Sequence, residues 1–291
     1  MATLRDIRKR IRTVQNTAKI TNAMKMVAAA KLRKAQEAVE SARPYARKLH
    51  RLLSEIALHA ETAGEPPHPL LERRATDQVE LLVMTSDRGL CGGFNSNILR
   101  RAERFLWEQA EQHREIRVST IGRKGTEHFR RKKQPLRQAY TGIFDALNYT
   151  KAKTIADELS RYFIADEVDA VYLLFNEFKS AISQQVTVVQ LLPIQAAAAD
   201  DTATSAVDFQ YEPSERGILD ALLPRYLATE LYQALLESTA SEHGARMTAM
   251  ENATRNAKDM TQKLTLQLNR ARQAQITGEL MEIIAGAEAL R

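Results

Sequence analysis

A single cysteine, Cys91, stands in 291 residues. One thiol cannot close an intrachain disulfide, which points to a reducing compartment. Aromatic residues make up only 6%, a proportion that suits long Ala/Leu helices better than a β-sandwich. No apolar run reaches the roughly 20 residues needed to cross a bilayer. The six histidines have no metal-ligand spacing: His50 and His59 are nine apart, and His68, His113, His128 and His243 stand alone. No nucleophile sits in the sequence context of a catalytic base. The opening MATLRDIRKRIRTVQ lacks the apolar core of a secretory signal. Its helical pattern runs on without a cleavage-like break, so it reads as mature protein.

What is present begins with charge. The net charge is +6, and residues 1–36 hold ten Lys/Arg against one acid, Asp6. Such a run points to an acidic partner: nucleic acid, anionic lipid or an acidic protein surface.

The same segment carries the strongest periodic signal. Leu4, Ile7, Ile11, Val14, Ala18, Thr21, Lys25, Ala28, Leu32, Ala35, Val39, Ala42, Ala46, Leu49, Leu53, Ile56 and Ala60 follow one another in steps of three and four. Only Thr21 and Lys25 are not apolar. This heptad seam predicts a coiled-coil helix over 1–60, roughly 85 Å long, with Pro44 as a possible kink. Glu65-Pro66-Pro67-His68-Pro69 ends it. A second seam runs Ala240, Met247, Met250, Thr254, Ala257, Thr261, Leu264, Leu268, Ala271, and a further stripe follows at Ile276, Leu280, Ile283, Ala287. With no proline after Pro224, helix signals hold from Ser214 to Leu290, and a C-terminal coiled-coil segment is assigned to 209–291. Because the middle of the chain joins the end of one helix to the start of the other, the two should pack antiparallel, with both termini together at the far tip.

Between them, residues 76–195 read as an α/β domain. Val79–Met84, Ile116–Ile121, Val168–Asn176 and Gln185–Leu192 look like strands; Asn95–Gln112, Gly122–Lys133 and Lys151–Ala165 look like helices. That alternation implies a Rossmann-like layer with a mainly parallel sheet. Ala196–Ser205 reads as a loop.

One stretch of this domain poses a chemical question. TSDRGLCGGFNSN, residues 85–97, joins strand to helix through three glycines, the way many proteins hold a phosphate. It has neither the Lys of a Walker loop nor G-x-G-x-x-G spacing. Arg123, after the second strand, could meet a ribose phosphate. The plainer reading is a tight turn that needs glycine. Cys91 is either a nucleophile or a small buried side chain.

Ile20–Lys31 and Ile276–Leu290 are apolar on more than one face. Either they lie in a local bundle, or they touch a partner helix on one side and another protein on the other.

VQNTAKITNAMKMVAAAKLRKAQ, SDRGLCGGFNSN and ARQAQITGELMEIIAGAEAL closely resemble the gamma subunits of F-type ATP synthases, in the same order and over essentially the whole chain. The resemblance implies a non-catalytic central rotor shaft: antiparallel helices inside a ring of three alpha and three beta subunits, with the α/β domain near epsilon and the membrane-embedded c-ring. It implies no cofactor and no metal, catalysis on beta, and attachment to the membrane only through the membrane sector. The location implied is the cytoplasmic face of a bacterial plasma membrane. Met24 matches a methionine near an acidic loop of beta. Arg272, Gln273, Thr277 and Glu279 match residues that contact the ring higher up, and Phe209, Tyr211 and Glu212 fall where the family meets the c-ring. The plant-type insertion with a regulatory cysteine pair is absent. By this resemblance the glycine turn builds the rotor's foot and holds no nucleotide. The alternative function is a basic coiled coil that binds nucleic acid.

Overall fold

The computed structural model describes residues 3–62, 68–181, 183–195 and 215–289. Its elements run α1 (Leu4–Thr62), β1 (Gln78–Met84), α2 (Phe94–Gln109), β2 (Glu115–Ile121), α3 (Arg123–Arg131), β3 (Leu136–Tyr140), α4 (Tyr149–Ile164), β4 (Ala170–Phe178), β5 (Gln184–Leu192) and α5 (Glu215–Ala289). They divide into two compact units, Ala30–Ala245 and Met1–Ala29 with Arg246–Arg291. Both α1 and α5 contribute residues to each.

In the unit of residues 30–245 the sheet order is β3-β2-β1-β4-β5. β1 lies parallel to β2 and β4, β2 lies parallel to β3, and only β5 runs antiparallel. Parallel neighbours need a crossover, here a helix each time. The helices cover both faces. Leu81 and Val83 of β1 pack with Ile98, Ala102 and Phe105 of α2 and Phe129 of α3. Leu82 and Met84 point the other way, to Ile155, Leu159 and Phe163 of α4, Leu53 and Ile56 of α1, and Leu227 and Leu231 of α5. A strand buried on both sides reads as a continuous apolar run, which is why Val79–Met84 stood out.

β3 (Leu136–Tyr140) has no signature in the sequence and was not expected. LRQAY is a five-residue edge strand with no fully buried residue, so it has neither an apolar run nor a clean alternation. Helix ends also moved inward: α2 stops at Gln109 and α3 at Arg131.

Glu80 is an unexpected passenger in β1, with no exposed surface. Arg137 Nη1 lies 3.5 Å from its carboxylate, and the Arg137 guanidinium also stacks 3.9 Å over the Tyr162 ring. Burial pushes the Glu80 carboxyl above its ordinary range, only partly offset by a hydrogen bond from Ser119 and by Arg137. A raised acid in the folded state binds its proton more tightly than in the unfolded chain. Its stabilising contribution is therefore full below the ordinary carboxyl value, near 4.5, and is lost as pH rises through the folded value. Glu80→Gln should thus gain urea resistance over wild type at pH 8 and lose that advantage towards pH 4. An advantage that stays constant with pH would sink this account.

In the other unit α1 and α5 run antiparallel. Thr21 Oγ1 lies 2.7 Å from Thr254 Oγ1 in a buried contact, and one turn on, Lys25 Nζ donates to Glu251 Oε1 at 3.0 Å. The numbers rise on one helix as they fall on the other. The forecast stripe holds along all of α1 whose burial is described: every seam position from Leu4 to Ile56 is buried or half-buried. In 1–29, Ile7, Thr21 and Ala28 are buried while Ile11, Val14 and Ala18 are half-buried, because two helices alone can cover only one stripe each. Pro44 lies within α1 without ending it.

Oxidation of a Thr21→Cys/Thr254→Cys chain, built on Cys91→Ala, should give nearly complete cross-linking. Thr21→Cys paired with Thr261→Cys, displaced by about 10 Å along the helix, should give little. Equal yields from both pairs would contradict the register.

One expectation fails here. At this register Leu4 comes level with Ala271, the last half-buried seam residue of α5; positions 272–287 are all exposed. The described start of α1 and end of α5 therefore do not meet. α5 runs on for about 27 Å past the start of α1.

Candidate functional site

The glycine turn follows the C-terminal end of β1, beside the point where the strand order reverses, the usual ligand position in an open α/β sheet. Most of its polar side-chain atoms are used by the chain itself, although Asp87 Oδ2 is buried without a hydrogen-bond partner among the described residues. Ser86 N–H donates to Asn95 Oδ1 at 3.0 Å, and Asn95 Nδ2 donates to Ser86 Oγ at 2.7 Å and to Cys91 Sγ at 3.2 Å. Asp87 Oδ1 accepts from the Arg123 backbone N–H at 2.9 Å, at the start of α3. A carboxylate thus occupies the spot where the positive end of α3 would attract a phosphate, and a second anion would be repelled. Cys91 is buried, facing Asn95 rather than a base.

The glycines do conformational work. Gly92 has φ 57° and Gly122 φ 99°, values costly for residues with a Cβ. Asp87 and Asn95 were not singled out from the sequence; the signal available was the polar S-D-R and N-S-N flanking the glycines.

The other candidate surface is the antiparallel helix pair of residues 1–29 and 246–291. These residues hold 14 Lys/Arg and 6 Asp/Glu, a net +8, leaving 28 against 30, or −2, for residues 30–245. The whole positive excess thus lies on the helix pair. Away from the seam, Ile20, Met26 and Val27 of α1 and Met260 and Leu266 of α5 are all more than half exposed. Beyond the seam Ile276, Leu280, Met281 and Ile283 are likewise open. Large apolar side chains in such number outside the seam mark a candidate contact surface.

Met24 is half-buried at the seam's edge, one turn from Thr21. Arg272, Gln273, Thr277 and Glu279 are exposed on the projecting part of α5. Thr277 Oγ1 donates to the Gln273 carbonyl at 2.9 Å, and Gln275 Nε2 donates to Glu279 Oε1 at 2.8 Å. Met24 lies level with Glu251, so this polar group sits about 30–40 Å further along the helix. The structure does not bring the two together. Phe209, Tyr211 and Glu212 lie outside the described residues. The pairings Thr21–Thr254 and Lys25–Glu251 were missed, although the two non-apolar seam positions of α1 were the clue to polar partners across the seam.

The ATP synthase family model matches residues 3–290. The ATP synthase gamma chain of Anaeromyxobacter sp. (strain K) is 55% identical over 291 residues, covering 100% of both chains. The chain belongs to the ATP synthase gamma-chain family. The gamma chain of Geobacter metallireducens is 50% identical over 293 residues, again covering 100% of each. Among solved structures, a chain of the Tetrahymena thermophila mitochondrial ATP synthase central stalk and c-ring matches with TM-score 0.62 and 29% identity, over 80% of this chain and 99% of that one. A Euglena gracilis mitochondrial ATP synthase chain matches with TM-score 0.69 over 99% of this chain and 94% of that one; at 18% identity it speaks for the fold alone. No helix among the described residues of this gamma-family chain is long and apolar enough to cross a membrane.

Proposed function

We propose that the chain is the central rotor shaft of an F-type ATP synthase, a non-catalytic subunit that couples ion flow through the membrane sector to ATP synthesis or hydrolysis on the beta subunits. The observation that carries this reading is full-length identity of 55% to an ATP synthase gamma chain. The placement of charge and apolar surface on the helix pair agrees with it. A shaft needs stiffness, an asymmetric surface and no deep resting place. The helix pair supplies stiffness. Its exposed apolar residues and +8 charge suit a surrounding ring of alpha and beta subunits that carries acidic loops. As the shaft turns, each beta subunit meets a different face, which shifts its open and closed populations.

Met24 is assigned to the contact with an acidic loop of beta, and Arg272, Gln273, Thr277 and Glu279 to the ring around the projecting end of α5. Phe209, Tyr211 and Glu212 are assigned to the c-ring, with epsilon beside the unit of residues 30–245. The complex would sit peripherally on the cytoplasmic face of a bacterial plasma membrane.

Met24→Lys tests the coupling role. An ammonium here would reach an acidic loop at some rotor angles and not at others, adding on the order of 1 kcal/mol at a half-exposed site. The mutant complex should assemble and hydrolyse ATP but pump fewer protons per ATP in membrane vesicles. Wild-type pumping per ATP would remove Met24 from this role. Failure of the chain to co-purify with alpha and beta subunits would remove the rotor reading altogether.

A further inference from the structure

The unit of residues 30–245 carries a net −2, yet one layer of it is strongly basic. Residues 94–109 and 123–133, which hold α2 and α3 on the same face of the sheet, contain nine Lys/Arg and three Glu, a net +6. Within that layer stands Trp107, the only tryptophan of the chain, 81% exposed. Arg100, Glu103, Arg104 and Trp107 follow one another at helical spacing, so they share the outer face of α2.

α3 extends that face. Glu103 Oε1 accepts from His128 Nε2 at 2.6 Å and pairs with Lys132 Nζ at 2.5 Å. Arg131, three residues beyond His128, is carried to the same side. Glu103 thus joins the two helices by its ion pairs, while Arg100, Arg104 and Arg131 form no ion pair among the described residues. Exposing a large indole gains nothing for the isolated fold. Three guanidinium groups on one face without a carboxylate partner repel one another, at a cost set by solvent screening.

We infer that the face formed by Arg100, Arg104, Trp107, Arg131 and Lys132 docks an acidic protein surface with an apolar pocket for the indole. Charge complementarity selects an acidic partner, and the side-chain chemistry selects protein. Tryptophan and arginine are the residues most enriched among those that dominate protein interfaces. Arginine pairs with carboxylates through two parallel hydrogen bonds, which a lysine cannot do. A lipid surface fits less well: Trp107 is the only large exposed apolar residue on α2 and α3, so insertion would be shallow, and Glu103, Glu108 and Glu127 would face the anionic headgroups. A second copy of the same face would be repelled by like charge.

This surface is independent of the shaft residues, so its test does not depend on theirs. A photo-reactive benzoylphenylalanine in place of Trp107, in the full chain assembled in its host, reports what lies against that position. Mapped adducts should fall within an Asp/Glu-rich segment of another polypeptide. Their yield should drop at least five-fold when the isolated complex is illuminated in 1 M rather than 0.1 M salt, where the screening length falls from about 10 to 3 Å. Arg100→Glu/Arg104→Glu should abolish them, with the chain's thermal midpoint retained. Adducts to phospholipid, adducts to a neutral or basic segment, a salt-independent yield, or no adduct at all would each overturn the inference.

Discussion

Gly122→Ala is expected to destabilise the unit of residues 30–245 severely, lowering its urea midpoint, while Gly89→Ala leaves it unchanged. Gly122 lies at the junction of β2 and α3 with φ 99°, a region that side chains rarely enter. A Cβ there would stand 2.1 Å from the Thr85 carbonyl oxygen and 2.9 Å from Thr85 Oγ1. Neither neighbour can yield. The Thr85 N–H is bound to Ile121 O at 2.7 Å, and Thr85 Oγ1 accepts from Gly125 N–H at 2.8 Å. The added methyl must therefore separate the ends of β1 and β2. Backbone strain and overpacking together should cost on the order of 3–5 kcal/mol, a large part of a typical domain's 5–15 kcal/mol. Gly89 has nothing within 4 Å of the corresponding position. Cys91, the single thiol and buried in this unit, reports its unfolding through the urea dependence of labelling by a thiol reagent. A Gly122→Ala chain with the wild-type midpoint would show that the junction is looser than described.

How legible such features are depends on their physics. The seam of α1 could be read residue by residue, because burial against one partner helix imposes a period that Leu, Ile, Val and Ala all obey. β1 could be read because both its faces are covered. β3 could not: an edge strand such as Leu136–Tyr140, half-covered on each side, has no composition of its own. The closing of the glycine turn by Asp87 and Asn95 was equally hidden. It joins residues brought together by three different elements, and nothing in the local spacing of either one announces its partner. Met24 and the group Arg272, Gln273, Thr277 and Glu279 were assigned by resemblance alone. Composition marked only the apolar segments around them, and periodicity at the end of α5 suggested a stripe where the structure has an open helix.

That open helix should be the least protected part of the folded chain. From Arg272 to Ala287 no residue is buried, so the helix there gains only its own hydrogen bonds and local pairs. An isolated helix of this length is marginal in water, and Gly278 and Gly286 each weaken it by about 1 kcal/mol relative to alanine. The Gln275–Glu279 pair returns only a few tenths. In the isolated chain, amide hydrogen exchange over 276–287 should approach within about ten-fold of unstructured rates. Met250–Ala257, with three buried seam residues, should exchange roughly a hundred-fold more slowly still. In the assembled complex the picture should change at the tip alone: a ring that closes around Ile276, Leu280 and Ile283 would bury them, and each apolar side chain so covered contributes about 1.5–3 kcal/mol. Protection over 276–287 should then rise by at least two orders of magnitude. If exchange there is already slow in the isolated chain, the helix is held by something other than a partner. If it stays fast after assembly, the projecting end of α5 does not carry the contacts assigned to Arg272, Gln273, Thr277 and Glu279, and torque would have to pass through the paired segment around Met24.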